Sequence, residues 1–478
     1  MKRLSISNFR LYIRIRIKKI IDRNSTRYHS IDHVLKQKLN KHRPWPKRGL
    51  ICFAPFTNLY FRQDGSIGVC CYNHAVKLGK YPENKLTEIW KGHNLKTLRK
   101  HIINDDLSNG CVRCQEQLRT GNIANSQLIY FDNFNQLKYY PTRMQFQLEN
   151  TCNLECIMCN GYLSSSIRKN KEKLPPLKKI YDDRFVANLD TFIPYLEHAF
   201  FSGGEPFVID IYYKIWNRII QLNSDCVIEV QTNGTILNEK VKNIINKGNF
   251  RIGISLESLQ KETYESIRVN GNFETVIENV HYFAKYAQRK GNQLTISVCP
   301  MRMNWKEMPD FITFCNRLKA FVWFYTVNRP FDCTIWNLSS DEIDEIYQYL
   351  LTHKIVGDDE ISRQNAKRYE DLCNQINNWY QESLKYDREE TTKIENKDFE
   401  LKIIQKIHNY YISNHLYINN YQLDLLKERI AFLLNNIESG ELRKSMINTL
   451  ERLPGNESMD LLNDDSYERI KSMLKISQ

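Results

Sequence analysis

The chain has 478 residues, of which 42% are hydrophobic and 26% charged, with 13 cysteines and a formal net charge of +13. That length exceeds one ordinary core and predicts two or three domains. No run approaches the roughly 18–20 apolar residues of a membrane span, and no secretory signal precedes the first domain.

The charge is local. Residues 1–50 hold 15 of the 68 Lys and Arg but 2 of the 55 Asp and Glu, so the excess sits in an N-terminal arm and the remainder is balanced. A nucleic-acid partner for the main body is therefore not expected. Eight cysteines precede residue 160, and the later five (Cys226, Cys299, Cys315, Cys333, Cys373) are scattered singly as small hydrophobes. Unpaired thiols in a chain without a secretory signal predict a reduced, cytoplasmic setting.

In the arm, residues 1–49, Phe9, Ile13, Ile17, Ile20 and Ile21 recur at helical spacing among Arg10, Arg14, Arg16, Lys18 and Lys19. The pattern suits a helix packed on its own protein. It also suits residues 1–21 lying on an anionic membrane surface, or a targeting segment.

Residues 50–120 form a second unit. Cys52 leads into a strand-like run, Ala54 to Phe61, and Gln63-Asp64-Gly65-Ser66 reads as a hairpin turn before Ile67 to Cys71. Leu86-Thr87-Glu88-Ile89-Trp90, a basic helix and the C-x2-C pair Cys111 and Cys114 follow. Cys52, Cys70, Cys111 and Cys114 make a closed four-thiolate site, with Cys71 as a spare. Four thiolates suit zinc or an iron–sulfur cluster.

After a linker, 121–141, the pattern turns to alternating strand and helix over 142–340, with strands predicted at 142–149, 198–202, 226–232, 250–256, 294–299 and 321–327. Such alternation implies a parallel sheet of βα units. On the first strand Gln145, Gln147 and Glu149 alternate with Met144, Phe146 and Leu148. On the third, Glu229, Gln231 and Asn233 alternate with Ile228 and Val230. Helices outside would take the apolar faces, leaving a polar interior suited to a hydrophilic substrate or to mutual hydrogen bonding.

Directly after the first strand stand Cys152, Cys156 and Cys159, spaced C-x3-C-x2-C. Clusters are normally held by four cysteines, so three on one loop leave an iron without a protein ligand, able to bind a small molecule. A zinc knot would want a fourth Cys or His nearby, and Cys114 and His198 are distant in sequence. Gly203-Gly204-Glu205-Pro206 ends the second strand, Asn233-Gly234 the third and Ser255-Leu256-Glu257-Ser258 the fourth; Arg268 follows.

The C-x3-C-x2-C loop with its downstream GGEP segment resembles the radical S-adenosylmethionine (radical SAM) superfamily. The first four-cysteine unit is similar to its SPASM/twitch auxiliary-cluster modules. The resemblance implies an α/β fold: a partial (β/α)6 TIM-like barrel, with a small N-terminal hairpin-helix four-cysteine module. It also implies that Cys152, Cys156 and Cys159 hold a reductive [4Fe–4S] cluster. That cluster would cleave S-adenosylmethionine to a 5′-deoxyadenosyl radical, which abstracts hydrogen from substrate. Gly203, Gly204, Glu205, Pro206, Asn233, Ser255 and Arg268 would bind the cofactor, Arg268 by pairing its carboxylate. An auxiliary [4Fe–4S] cluster on Cys52, Cys70, Cys111 and Cys114 would transfer electrons, and a flavodoxin or ferredoxin would donate them.

The chain departs from the pattern in placing the module before the barrel, in lacking the cysteines of a second auxiliary cluster, and in carrying Glu257 where Asp is common. The expected substrate is a peptide or a small polar molecule. A ribosomal-peptide maturase that crosslinks or epimerises is one alternative, with Cys299 or Cys333 as hydrogen donor; no leader-binding winged helix is evident. A non-catalytic zinc-binding protein is the other. Residues 341–478 read as a helical region, with Leu425, Ile430, Leu433 and Leu434 as core and a charged linker near 387–392.

Overall fold

The computed structural model describes residues 30–389 apart from 45–46, 120–122, 124–125, 135–137 and 328–329, and beyond them 401–407, 409, 420–436, 447, 450 and 462. Residues 1–21, expected as a basic amphipathic helix packed on its own protein or lying on an anionic membrane surface, lie outside the described residues. Among the described residues no helix is long and apolar enough to cross a membrane. The chain divides into two compact units, one of residues 1–333 with 352–372 and the other of 334–351 with 373–478.

The first unit is built on one nine-stranded sheet. The run after Cys52 begins as a helical turn, Ala54–Thr57, and not as strand, because Pro55 sits in its first positions and cannot donate to a ladder. Strand β1 (Asn58–Arg62) therefore starts late and turns back into β2 (Ser66–Gly68). The turn forms as its residues demand: Gly65 has φ +81°, and the Asp64 carboxylate accepts the Ser66 amide at 2.9 Å. β3 (Gly79–Lys80) closes this small sheet, followed by α1 (Leu86–Lys91), α2 (His93–Ile103) and α3 (Val112–Arg119).

Six parallel strands follow: β4 (Arg143–Gln147), β5 (His198–Phe201), β6 (Val227–Thr232), β7 (Phe250–Ser255), β8 (Leu294–Val298) and β9 (Phe321–Phe324). They pair strictly in sequence order. Because crossovers between parallel strands are right-handed, unreversed order puts the connecting helices on one face, the winding of a TIM-like barrel. Six units leave it partial. The connecting helices are α4 (Asp183–Asn188), α5 (Asp210–Leu222), α6 (Glu239–Lys247), α7 (Lys261–Ile267) with α8 (Phe273–Lys290), α9 (Met308–Leu318) and, after β9, α10 (Glu360–Glu389).

All six predicted strands are present, each shorter by one to three residues at its ends. One feature was not predicted: β1 pairs in parallel with β4, so the four-cysteine module continues the barrel sheet. The join is aromatic. Phe61, Phe146 and Phe201 lie in register on β1, β4 and β5, stacked at 5.2 and 4.7 Å between centroids. All three are 0% exposed, and burying each such ring is worth about 1.5–3 kcal/mol.

The far edge, β9, is capped by a side chain. Asn365 of α10, also 0% exposed, accepts the Val322 amide at 2.9 Å and donates to the Ala320 carbonyl at 3.0 Å. This occupies a donor that would otherwise be an open sheet edge.

In the second unit, Ile343, Ile346 and Leu350 are buried on the helix Ser340–Thr352, and Leu426, Ile430 and Leu434 on the helix Asn420–Asn436. Leu426 takes the core place expected of Leu425, because the four-residue spacing from Ile430 and Leu434 keeps it on their face; Leu433's side chain lies outside the described residues. Residues 387–389, expected as linker, continue α10, and 390–392 are outside the described residues.

Candidate active site

The cysteine loop leaves the carboxyl end of β4 and is braced by its neighbours at the same end of the sheet. The Gly204 amide donates to the Glu149 carbonyl at 3.1 Å and the Glu205 amide to the Thr151 carbonyl at 2.7 Å. These contacts need glycine: a Cβ on Gly204 would stand 2.0 Å from the Thr151 oxygen, and Gly203 has φ +122°. The backbone of Gly203-Gly204-Glu205-Pro206 thus props the loop.

Glu205 is itself fixed. Its carboxylate accepts the Phe207 amide at 3.0 Å, the Thr232 hydroxyl at 2.7 Å and the Asn233 amide at 2.7 Å. Burial pushes its pKa up against the pull of these donors. Asn233 carries the link onward, donating to the Asn153 Oδ1 at 3.0 Å, while Asn153 donates to Thr235 at 2.9 Å. The loop's other side is clamped to the end of α7 by Glu155 N–H to Val269 carbonyl and Ile157 N–H to Ile267 carbonyl, each 3.0 Å.

Cys152, Cys156 and Cys159 come together at this point. Burial raises all three thiol pKa values, Cys152 to about 11 and Cys159 to about 12, and mutual repulsion with Cys156 adds to both. The second set gathers likewise. Burial and the charges of Cys111, Cys70 and Cys52, in that order, push the Cys114 thiol well up. Asn73, which sequence spacing gave no means to single out, donates to the Cys111 Sγ at 3.4 Å. Among the described residues no three His, Cys, Asp or Glu side chains are gathered so as to hold a single metal ion. The donor chemistry is what tests the fit to an iron–sulfur cluster. All-thiolate donors, pulled against one another and met by N–H groups at sulfur, have the chemistry such a cluster requires.

Two predicted cofactor contacts are otherwise engaged. Ser255 accepts from Gln231 Nε2 at 2.8 Å, and Gln231 lies across Gly253, whose Cβ would meet its oxygen at 2.4 Å. Arg268 is no surface residue, being 11% exposed at the side chain. It forms a two-pronged bond with Glu257 and points Nη1 at the Cys156 Sγ, 3.5 Å away.

The polar barrel interior also pairs largely with itself. Asn58 donates to Gln145 at 2.7 Å, and Tyr60 bonds Gln147. Glu229 accepts from Arg143 at 3.2 Å and meets His198 Nδ1 at 3.0 Å. Glu149 bonds Thr151 at 2.9 Å and Lys179 at 2.7 Å.

The radical SAM superfamily model matches residues 147–315, and an iron–sulfur cluster-binding domain model, SPASM, matches residues 52–115. Among curated proteins, a probable GTP 3′,8-cyclase of Methanocaldococcus jannaschii is 25% identical over 235 residues, 47% of this chain and 72% of its own length. The GTP 3′,8-cyclase of Limosilactobacillus fermentum is 25% identical over 189 residues, 38% of this chain and 52% of its own. Among solved structures, Streptococcus suis SuiB bound to S-adenosylmethionine aligns at 14% identity and TM-score 0.35, covering 56% of this chain and 61% of that one.

These matches reach only part of each relative. The iron–sulfur assignment replaces zinc, so the cofactors are a catalytic [4Fe–4S] cluster, S-adenosylmethionine and an auxiliary cluster. Residues 147–315 are thus a radical SAM domain, and residues 52–115 an iron–sulfur cluster-binding domain on its N-terminal side.

Proposed function

We propose that the protein is a radical SAM oxidoreductase acting on a polar substrate, with Cys152, Cys156 and Cys159 holding the reductive cluster and Cys52, Cys70, Cys111 and Cys114 the auxiliary one. One observation carries this: the three-cysteine loop is braced by the ends of β5, β6 and α7 at the carboxyl face of the barrel, where βα folds build active sites. When bound, the cluster supplies the electron that splits S-adenosylmethionine into methionine and a 5′-deoxyadenosyl radical, the species that abstracts hydrogen.

The chain's own part is positioning. Gly203 and Gly204 let the end of β5 press against the backbone of the cysteine loop, and Glu205 and Asn233 hold the loop still. Gln231 joins Ser255 and Ser297 into one hydrogen-bonded row across β6, β7 and β8. The relatives named GTP 3′,8-cyclase support a polar small molecule as the substrate class.

Anaerobic reconstitution tests the reading. The wild-type chain is expected to bind roughly eight irons, four per cluster, and to release 5′-deoxyadenosine from S-adenosylmethionine under reductant. Replacing Cys152, Cys156 and Cys159 together by Ala should leave about half the iron and abolish release. Cleavage that survives the triple substitution would sink the assignment.

A further inference from the structure

Arg268 and Cys156 face each other in a register the backbone enforces. Cys156 lies between Glu155 and Ile157, whose amides bond the carbonyls of Val269 and Ile267, the two residues that flank Arg268. Two bonds of 3.0 Å, one on either side, leave the two side chains little freedom to slide apart. From the C-terminal end of α7 the guanidinium then reaches Cys156 with Nη1 at 3.5 Å.

Its other edge is filled. Nε and Nη2 both bond the Glu257 carboxylate, Nη2 at 2.8 Å. Glu257, 1% exposed, is held in turn through its carbonyl, which accepts from Asn304 Nδ2 at 2.6 Å; Asn304 is likewise 1% exposed. A guanidinium is a planar fork that grips a carboxylate along one edge. With Nε and Nη2 on Glu257 and Nη1 on sulfur, three of its five N–H donors are engaged, and one remains on each terminal nitrogen.

We propose that Arg268, held by Glu257, is a positioning residue that donates to the Cys156 sulfur and sets the reduction potential of the catalytic cluster. The inference rests on the cluster assignment above. Each electron added to a cluster adds negative charge, and a cationic N–H aimed at a ligand sulfur stabilises that charge, so it raises the potential. Glu257 works in the opposite direction by partly neutralising the cation.

The test measures the midpoint potential of the catalytic cluster by EPR-monitored titration, alongside the dissociation constant for S-adenosylmethionine. Arg268→Gln is expected to lower the potential and Glu257→Gln to raise it. Shifts of the same sign in both variants overturn the proposal. So does an Arg268→Gln potential equal to wild type with affinity weakened by about thirtyfold or more, the loss expected when one partner of a buried charge pair is removed.

A second measurement needs no substitution. Wild-type protein carrying 15N in its arginine guanidinium groups should show a nitrogen hyperfine coupling to the reduced catalytic cluster, and its absence overturns the proposal. Iron content and the reduced-cluster signal of the unlabelled wild type report on the cluster assignment itself, so the two failures are told apart.

Discussion

The Glu205 carboxylate and the backbone amide of Asn233 meet at 2.7 Å across the ends of β5 and β6, with Glu205 fully buried. Two further donors, Phe207 N–H and Thr232 Oγ, converge on the same carboxylate. A buried acceptor with three donors cannot become an amide without setting an NH2 against N–H groups. Glu205→Gln should destabilise the chain by about 2–3 kcal/mol, read as a lower urea midpoint. Because Asn233 passes the contact to Asn153, iron bound at the catalytic loop should fall as well.

Gly204 allows no side chain. A Cβ there would lie 2.0 Å from the Thr151 oxygen and 2.5 Å from its carbonyl carbon, both backbone atoms that cannot swing aside. Gly204→Ala should dislodge the Cys152 end of the loop, and reconstitution should yield roughly half the wild-type iron, that of the auxiliary cluster alone. A full complement of iron in this variant would mean that the close approach is not needed.

Two thiols near the clusters are expected to be spare. Cys299 bonds the Glu257 carboxylate, and burial followed by that charge pushes its pKa up, keeping it protonated. Burial, followed by the charge of Cys70, raises the Cys71 thiol to about 12. Cys299→Ser and Cys71→Ser should both retain full iron by colorimetric assay, whereas Cys114→Ser should lose the auxiliary cluster.

Acid stability should depend on Glu229. Its pKa is lowered from the usual 4.5; burial opposes the charge, but Arg143 and then His198 outweigh it. A carboxylate with a depressed folded pKa adds stability that is present above about 4.5 and is lost as pH falls through the folded value. Thermal midpoints of wild type should fall steeply below pH 4.5. Glu229→Gln should begin lower, since Arg143 is left buried without its partner, and should show a shallower acid limb. Parallel acid limbs would remove Glu229 as the cause.

Much of the site was legible because its chemistry is local. Cys152, Cys156 and Cys159 share one loop, and Gly203 and Gly204 declare a close backbone approach by lacking a side chain. The six strands of the barrel were readable too, since Ile228, Val230 and their equivalents alternate with polar residues at the period a one-faced sheet imposes. Ala54 to Thr57 misled for the opposite reason: the apolar pattern suits a strand, but Pro55 decides the turn.

By itself, the sequence determined which thiols are available and at what spacing, the order of strand and helix, and the sites of the tight turns, because covalent spacing and backbone preference act over a few residues. Tertiary structure alone decided which polar groups were left free. Arg268 was spent on Glu257 and Cys156, Gln145 on Asn58, Ser255 on Gln231, and the module's β1 was laid against β4. Those pairings join residues far apart in the chain, and a side chain's partner is set by where the fold delivers it, which no local pattern encodes.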